Sequence, residues 1–264
     1  MEIINKITPG KKERDDVNKV INDFFKEIKQ KLKDAVPEVG GSMAKDTWLK
    51  GDHDIDIFVK FPYAKYHNKD ISNILQERLK KIKYNILHGS RDYLQVKKGK
   101  YLFELIPVIN INHSSKHLNI TDISPLHAKY VKKFNKDPNE IRLAKAFLKA
   151  NNLYGAESYI RGFSGYTLEV LIIAHNSFEN LMKAASRWKS GIRIDVKNHG
   201  VEKLNKSKIS PLIIIDPVQP DRNTAAALSE KKFEEFVDLA RKFLHNPSAE
   251  FFKHTEFDLE RIKS

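Results

Sequence analysis

The stretch GGSMAKDTWLKGDHDIDIFVKF, residues 40–61, limits what this chain can become more than any other. It opens on two glycines and a serine and closes on DIDIFVKF, where apolar and polar side chains alternate. Alternation predicts a strand over residues 54–61, because successive side chains of a strand point to opposite faces. Asp54 and Asp56 then share one face, while Ile55, Ile57, Val59 and Phe61 share the other and point to the core. Charges that open an apolar strand are unfavourable unless they are exposed or compensated. Asp52 adds a third aspartate just upstream, in a chain whose formal net charge is +13. The group is either solvated or holds something cationic. A further acid, Glu104, shares a face with Leu102 and Ile106 in the run YLFELIPV, which a neighbouring strand would bring beside the pair. Three oxygen ligands suit Mg²⁺. Upstream, Gly41 and Ser42 form a glycine-entered turn that offers backbone N–H groups and a hydroxyl to phosphate oxygens. A phosphate grip followed by metal-binding acids is what nucleotidyl transfer requires: two metals activate a 3′-hydroxyl and stabilise the pyrophosphate leaving group.

The rest of the chain sets the frame around this segment. With 264 residues, 41% hydrophobic and 10% aromatic, it has the composition of a packed fold and the length of one large domain or two ordinary ones. A change of character favours two. Residues 1–115 read as an α/β unit. A helix capped at Thr8-Pro9 carries Val17, Ile21, Phe24, Ile28 and Leu32 at helical spacing, and a polar helix follows over residues 71–83. Strands are expected near YNILHG, DYLQVKK and YLFELIPVINI, and NHSSKHLNITD reads as loop. Residues 116–264 are mostly helical, with helices predicted at EIRLAKAFLKANN, SGYTLEVLIIAHN, SFENLMKAASRWK and SEKKFEEFVDLARKFLHN, and PLIIIDPV extended. Asp137, Pro138 and Glu140 form a capping-box-like start for the first of these. The fold class is therefore α/β in the α+β sense, a head with a small mixed sheet followed by a mainly helical second domain.

Composition also excludes. Without cysteine there is no disulfide, no thiolate ligand and no cysteine nucleophile, so any metal sits on oxygen or imidazole. No apolar run is long enough to span a bilayer and the N-terminus has no signal-peptide core, so a cytoplasmic protein with no membrane partner is expected. Lys and Arg number 47 against 34 Asp and Glu, an excess that favours a polyanionic partner, nucleic acid first.

The blocks GSMAKDTWLKGDHDIDIFVKF, LAKAFLKANNLYGAESYIRGFSGYTLEVLI, SRWK, IDPVQPDRNTAAALS and PSAEFFK, taken in order, resemble the archaeal class I CCA-adding enzymes. These are tRNA nucleotidyltransferases of the polymerase β superfamily. The resemblance implies a nucleotidyltransferase head, residues 1–115, and a nucleotide- and RNA-binding neck, residues 116–264. It implies addition of CMP and AMP from CTP and ATP to the 3′ end of tRNA, with Mg²⁺ as cofactor and the acceptor stem as the bound region. By matched position, Asp54 and Asp56 are the catalytic metal acids and Glu104 fills the third place, where the family more often shows Asp. Gly41, Ser42 and Lys45 match the phosphate-binding turn, Lys145 and Tyr154 the triphosphate contacts, His127 a position near the incoming nucleotide, and Arg222 the base reader. Arg142, Lys145 and Lys149 fall on one basic helix face, and Arg161 and Tyr166 are expected at the domain junction. Asp46 stands where the family usually has Gly, adding negative charge close to the triphosphate. The resembled enzymes continue past this C-terminus with domains that grip the tRNA body. A homodimer or a separate C-terminal partner chain is the corresponding expectation. Two rival readings stay open: a nucleotidyltransferase of another acceptor, such as a second-messenger synthase or toxin, and a catalytically weak tRNA-binding subunit of a split enzyme.

Overall fold

The computed structural model describes residues 2–200, 204 and 209–253. They form two compact units, one of Thr8–Phe134 and one of Met1–Ile7 with Asn135–Ser264. The first helix, α1 (Glu2–Ile7), belongs to the second of these.

The sheet unit begins with α2 (Lys11–Leu32), followed by β1 (Val36–Val39), α3 (Gly41–Ala44), β2 (Asp54–Pro62), α4 (Tyr63–Tyr66) and α5 (Ile71–Leu79). Then come β3 (Asn85–Leu87), β4 (Tyr93–Lys98), β5 (Tyr101–Asn110) and α6 (Ser124–Phe134). Helix α2 is capped by Gly10 in extended conformation rather than starting at Thr8-Pro9. The Pro9 carbonyl is instead an acceptor for Arg14 Nε at 3.1 Å, so Pro9 lies outside the helix it was expected to open. The strands form one sheet in the order β1-β2-β5-β4-β3, in which β2 and β5 are parallel and every other neighbouring pair antiparallel. A parallel pair needs a crossover, and α4, α5, β3 and β4 supply it. Phe24, Ile28 and Leu32 of α2 and Leu75 and Leu79 of α5 share one core with Ile55, Ile57, Val59, Leu94, Val96, Phe103 and Leu105 of the sheet. Full burial of such a side chain stabilises by about 1.5–3 kcal/mol, so this face fixes the register of β2 and thereby turns Asp54 and Asp56 to the other side.

The segment NHSSKHLNITD, residues 112–122 and expected as loop, is occupied largely by two 3₁₀ turns, Ser114–Lys116 and Ile120–Ile123. Asp122 is fully buried, and its carboxylate accepts from the N–H groups of Ile109 (2.8 Å), Leu118 (3.1 Å) and Asn119 (3.0 Å) while pairing with Arg91. These bonds join the segment after residue 115 to the sheet. The compact division consequently falls after Phe134, although the sequence changes character near residue 115.

The helical unit contains α7 (Pro138–Ala150), α8 (Gly165–His175), α9 (Phe178–Ala185), β6 (Ile192–Ile194), β7 (Leu212–Ile214) and α10 (Glu230–His245). Asp137 caps α7 by accepting from Asn139 N at 2.8 Å. Glu140 does not complete the expected capping box: its carboxylate accepts from Phe178 N at 2.6 Å, at the start of α9. Helix α8 is buried at every position from Thr167 to Ile172, as its apolar sequence requires. Phe147, Phe178, Phe243 and Phe252 meet with ring centroids 5.4–6.1 Å apart and close the core of this unit. The short strands β6 and β7 pair in parallel.

Candidate active site

In the parallel pair β2–β5, Asp56 stands directly opposite Glu104 and Asp54 opposite Leu102. Neighbouring strands lie about 4.8 Å apart, so the three acids occupy adjoining positions on the polar face of the sheet. On the far side of β5, Gln95 of β4 is the register partner of Glu104, and its Nε2 donates to Glu104 Oε1 at 2.8 Å. Asp56, Glu104 and Gln95 thus form a row across three strands.

The glycine turn is pressed against this row. Gly40 N donates to the Asp56 carbonyl at 2.8 Å, tying the end of β1 to β2. Gly41 has φ +54°, and a Cβ built on it would lie 1.6 Å from Asp56 Oδ2. Only glycine fits, on conformational and steric grounds together. Ser42 sits in the first turn of α3, and Thr47 N closes the loop by donating to the Ser42 carbonyl at 2.9 Å. Lys45 follows as the C-cap of α3.

Asp46, unexplained in the sequence, has two physical accounts here. Its backbone is left-handed at φ 54°, a conformation glycine adopts freely and Asp tolerates better than most residues. Its carboxylate pairs with Arg14 Nη1 of α2 at 2.6 Å.

The acids form an oxygen-only, one-sided set. Among the described residues no group of three or more His, Asp or Glu side chains is placed to hold a metal ion by itself, so Asp54, Asp56 and Glu104 are neighbours in register and not a formed ligand triad. An open set suits Mg²⁺, which is held by one or two carboxylates together with waters and substrate phosphates. The adjoining Gly41–Ser42 turn is a place for such phosphates.

His127 is not part of this ladder; it lies on α6 and is buried. The remaining predicted residues belong to the helical unit. Arg142 and Lys145, read from spacing as part of a basic face, are 2% and 3% exposed, while Lys149 is half-buried. A buried Lys is rare unless paired, so this face is not ordinary solvated charge. Arg142 Nη1 donates to Asn139 Oδ1 at 2.8 Å, and α7 packs against α8, which carries the buried Glu169. Lys149 Nζ lies 5.5 Å from the Tyr154 ring centroid. The Tyr154 hydroxyl reaches the first residue of α8, where a Cβ on Gly165 would lie 2.8 Å from it.

Arg222 is held from two sides. Its Nη1 donates to Asp216 Oδ2 at 3.1 Å, and its guanidinium carbon lies 5.9 Å from the Tyr166 ring centroid. The Tyr166 hydroxyl donates to Asp216 Oδ1 at 3.0 Å, and that oxygen also accepts from Val218 N and Gln219 N. Asp216 is fully buried, yet 31% of the Arg222 side chain stays exposed, so a fixed carboxylate orients a guanidinium that still reaches solvent. The sequence singles out Glu104 and Arg222 but not Gln95 and Asp216, the residues that respectively orient them. Gln95 is visible only once strand pairing is known, whereas Asp216 lies within the same short IDPVQPDRN block.

A model described as "Nucleotidyltransferase domain" matches residues 21–117, and one described as "tRNA nucleotidyltransferase, second domain" matches residues 139–253. Over these two segments the chain is similar to the tRNA nucleotidyltransferases. Among curated relatives, the CCA-adding enzyme of Saccharolobus shibatae is 33% identical over 99% of this chain and 63% of its own length. That of Nanoarchaeum equitans is 42% identical over 79% of this chain and 55% of its own length. The chain thus spans less than two thirds of the length of these curated relatives. Among solved structures, the Cid1 poly(U) polymerase has a TM-score of 0.74 at 12% identity, covering 96% of this chain and 97% of its own. A cytoplasmic RNA terminal U-transferase gives 0.70 at 13% identity, with 97% of each chain covered. At such identities the likeness is one of fold, and it agrees with the mixed sheet and helical second unit described above.

Proposed function

We propose that this chain transfers CMP and AMP from CTP and ATP to the 3′ end of tRNA, releasing pyrophosphate. The observation that carries the reading is the register of β2 and β5, with Asp56 opposite Glu104, Asp54 on the same face, and the Gly41–Ser42 turn against Asp56. Mg²⁺ held by Asp54, Asp56 and Glu104 would neutralise phosphate oxygens and ease loss of the acceptor hydroxyl proton. Gly41, Ser42 and Lys45 hold the outer phosphates through backbone N–H groups, a hydroxyl and an ammonium. Glu104, oriented by Gln95, faces the acceptor 3′-hydroxyl and receives its proton as the new P–O bond forms and the bond to pyrophosphate breaks.

The sheet unit, Thr8–Phe134, serves as the catalytic part and the helical unit as the nucleotide- and RNA-binding part. His127 packs near the incoming nucleotide, and Lys145 and Tyr154 hold the triphosphate. Arg222 reads the base with the fork of donors that Asp216 orients. The +13 charge supplies the non-specific attraction for the acceptor stem, in the cytoplasm where tRNA is available. No helix described is long and apolar enough to cross a membrane.

The test is incubation with tRNA lacking its CCA end and each labelled NTP, singly and together, followed by sequencing of product ends. CTP alone should add C residues, CTP with ATP should complete CCA, and Asp54→Asn or Asp56→Asn should abolish incorporation while leaving tRNA binding intact. Tails of U, or product formed without RNA, would overturn the reading in favour of another acceptor. Absence of any product with tRNA bound would favour the weak subunit of a split enzyme.

A further inference from the structure

The loop between the glycine turn and Asp54 is fastened to the first turn of α2 at two points. Glu13 Oε1 accepts from Gly51 N at 2.8 Å, near the end of the loop. Arg14 Nη1 pairs with Asp46 at 2.6 Å, near its start. Arg14 is itself fixed: Nε donates to the Pro9 carbonyl at 3.1 Å and the guanidinium lies 5.8 Å from the ring centroid of buried Trp48. One side chain therefore touches the entry to α2, the base of the loop and the acid that replaces a glycine. Asp46 N closes on the Met43 carbonyl at 3.2 Å, and Thr47 N on the Ser42 carbonyl at 2.9 Å. A displacement of Asp46 is transmitted to Ser42 through these two short bonds.

An acid at position 46 is a liability next to a triphosphate, because like charges repel there as strongly as the local screening allows. It also occupies left-handed backbone, which costs an L-residue something that glycine escapes. Arg14 answers both difficulties: its charge neutralises the carboxylate and its bond holds the strained residue in place.

We propose that Arg14 is a positioning residue for nucleoside triphosphate binding, acting through Asp46 on the Gly41–Ser42 turn. The inference rests on the proposed use of that turn for phosphate. Its signature is that Asp46 is harmful without Arg14 and harmless with it, so removing the acid repairs loss of the arginine.

The experiment measures equilibrium affinity for Mg-CTP, Mg-ATP and tRNA by calorimetry on wild type, Arg14→Met, Asp46→Gly and the double variant, with thermal melting alongside. Methionine keeps an unbranched stem over Trp48 while removing the charge. One uncompensated charge at about 4 Å from a phosphate in water corresponds to about fivefold in affinity. Arg14→Met should weaken CTP and ATP alike by about that factor and leave tRNA affinity unchanged. Asp46→Gly alone should have little effect, and the double variant should return to the affinity of Asp46→Gly. Equal weakening in Arg14→Met and the double variant would make Arg14 merely structural and overturn the proposal, as would an effect confined to tRNA or none at all. Wild-type binding without transfer would sink the catalytic reading and leave this one standing; wild type that binds no triphosphate would end both.

Discussion

Gly41→Ala tests the site more sharply than removal of a carboxylate, because it adds one methyl group and changes no charge. The new Cβ would start 1.6 Å from Asp56 Oδ2 and 2.6 Å from Asp56 Cγ, and it would sit on a backbone at φ +54°. Real Cβ contacts essentially never fall under 3.0 Å, so the carboxylate oxygen has to retreat by about 1.4 Å or the turn has to move off β2 by as much. A misplacement of about 1 Å costs about 100-fold in a step that depends on alignment. The left-handed backbone adds about 1–2 kcal/mol of destabilisation. Gly51→Ala separates these two effects: its φ is also positive, at +84°, yet nothing lies within 4 Å of its Cβ position. Both variants should melt a few degrees below wild type, since about 1 kcal/mol shifts a domain of this size by about 2–4 °C. In single-turnover incorporation of labelled CMP into tRNA lacking CCA, Gly41→Ala should fall about 100-fold or more while Gly51→Ala stays within about threefold. Near-normal turnover by Gly41→Ala would refute the claim that the turn and Asp56 form one site. Equal loss in both variants would reduce the effect to backbone strain.

Glu104→Asp should keep substantial turnover, whereas Glu104→Gln, isosteric but neutral, should lose most of it; a fully active Gln variant would make Glu104 structural. Arg222→Ala should raise UTP and GTP misincorporation, and Asp216→Asn should do so more weakly by loosening the same guanidinium, both read by sequencing product ends; weaker binding with unchanged fidelity would make Arg222 a phosphate contact. His175 is held below its ordinary pKa of 6.5 by burial, and its Nε2 has no hydrogen-bond partner among the described residues. The unfolded chain takes up a proton the folded one resists, so this contribution is present above about pH 6.5 and is lost as the pH falls toward the lowered folded value. His175→Leu should therefore flatten the fall in melting temperature between about pH 7 and pH 5, and an unchanged slope would clear His175 of that role.

The acidic cluster was legible because it depends on the shortest-range rule available, alternation along one strand, and on a glycine turn close to it in sequence. Glu104 could be placed on the right face of its own strand but not opposite Asp56, since register between β2 and β5 depends on everything between them. The start of α2 was misplaced because Thr8-Pro9 carries a local capping signal that Gly10 and the Pro9–Arg14 bond override. The 3₁₀ turns were missed because the polar segment NHSSKHLNITD, residues 112–122, reads as loop; what ties it to the sheet is Asp122, a single buried acid bonded to the distant Arg91 and Ile109. Burial of Lys145 was likewise invisible, since helical spacing shows which residues share a face and not what covers it.

The parallel pairing of β2 with β5 has a consequence for how the molecule acquires its chemistry. Antiparallel β4–β5 is a local contact, formed across the short turn between Lys98 and Tyr101, whereas Asp56 meets Glu104 only after the whole of residues 63–100 has been laid down as a crossover. Non-local pairings close late because the loop entropy must be overcome before any contact is gained. During refolding, helical signal from α2 and hairpin contacts should precede assembly of the acids, and a chain halted before residue 101 would hold two aspartates on an edge with no third. On the proposed role of the three acids, nucleotidyl transfer should begin only once β5 has joined β2, so the onset of activity during refolding should track completion of the sheet.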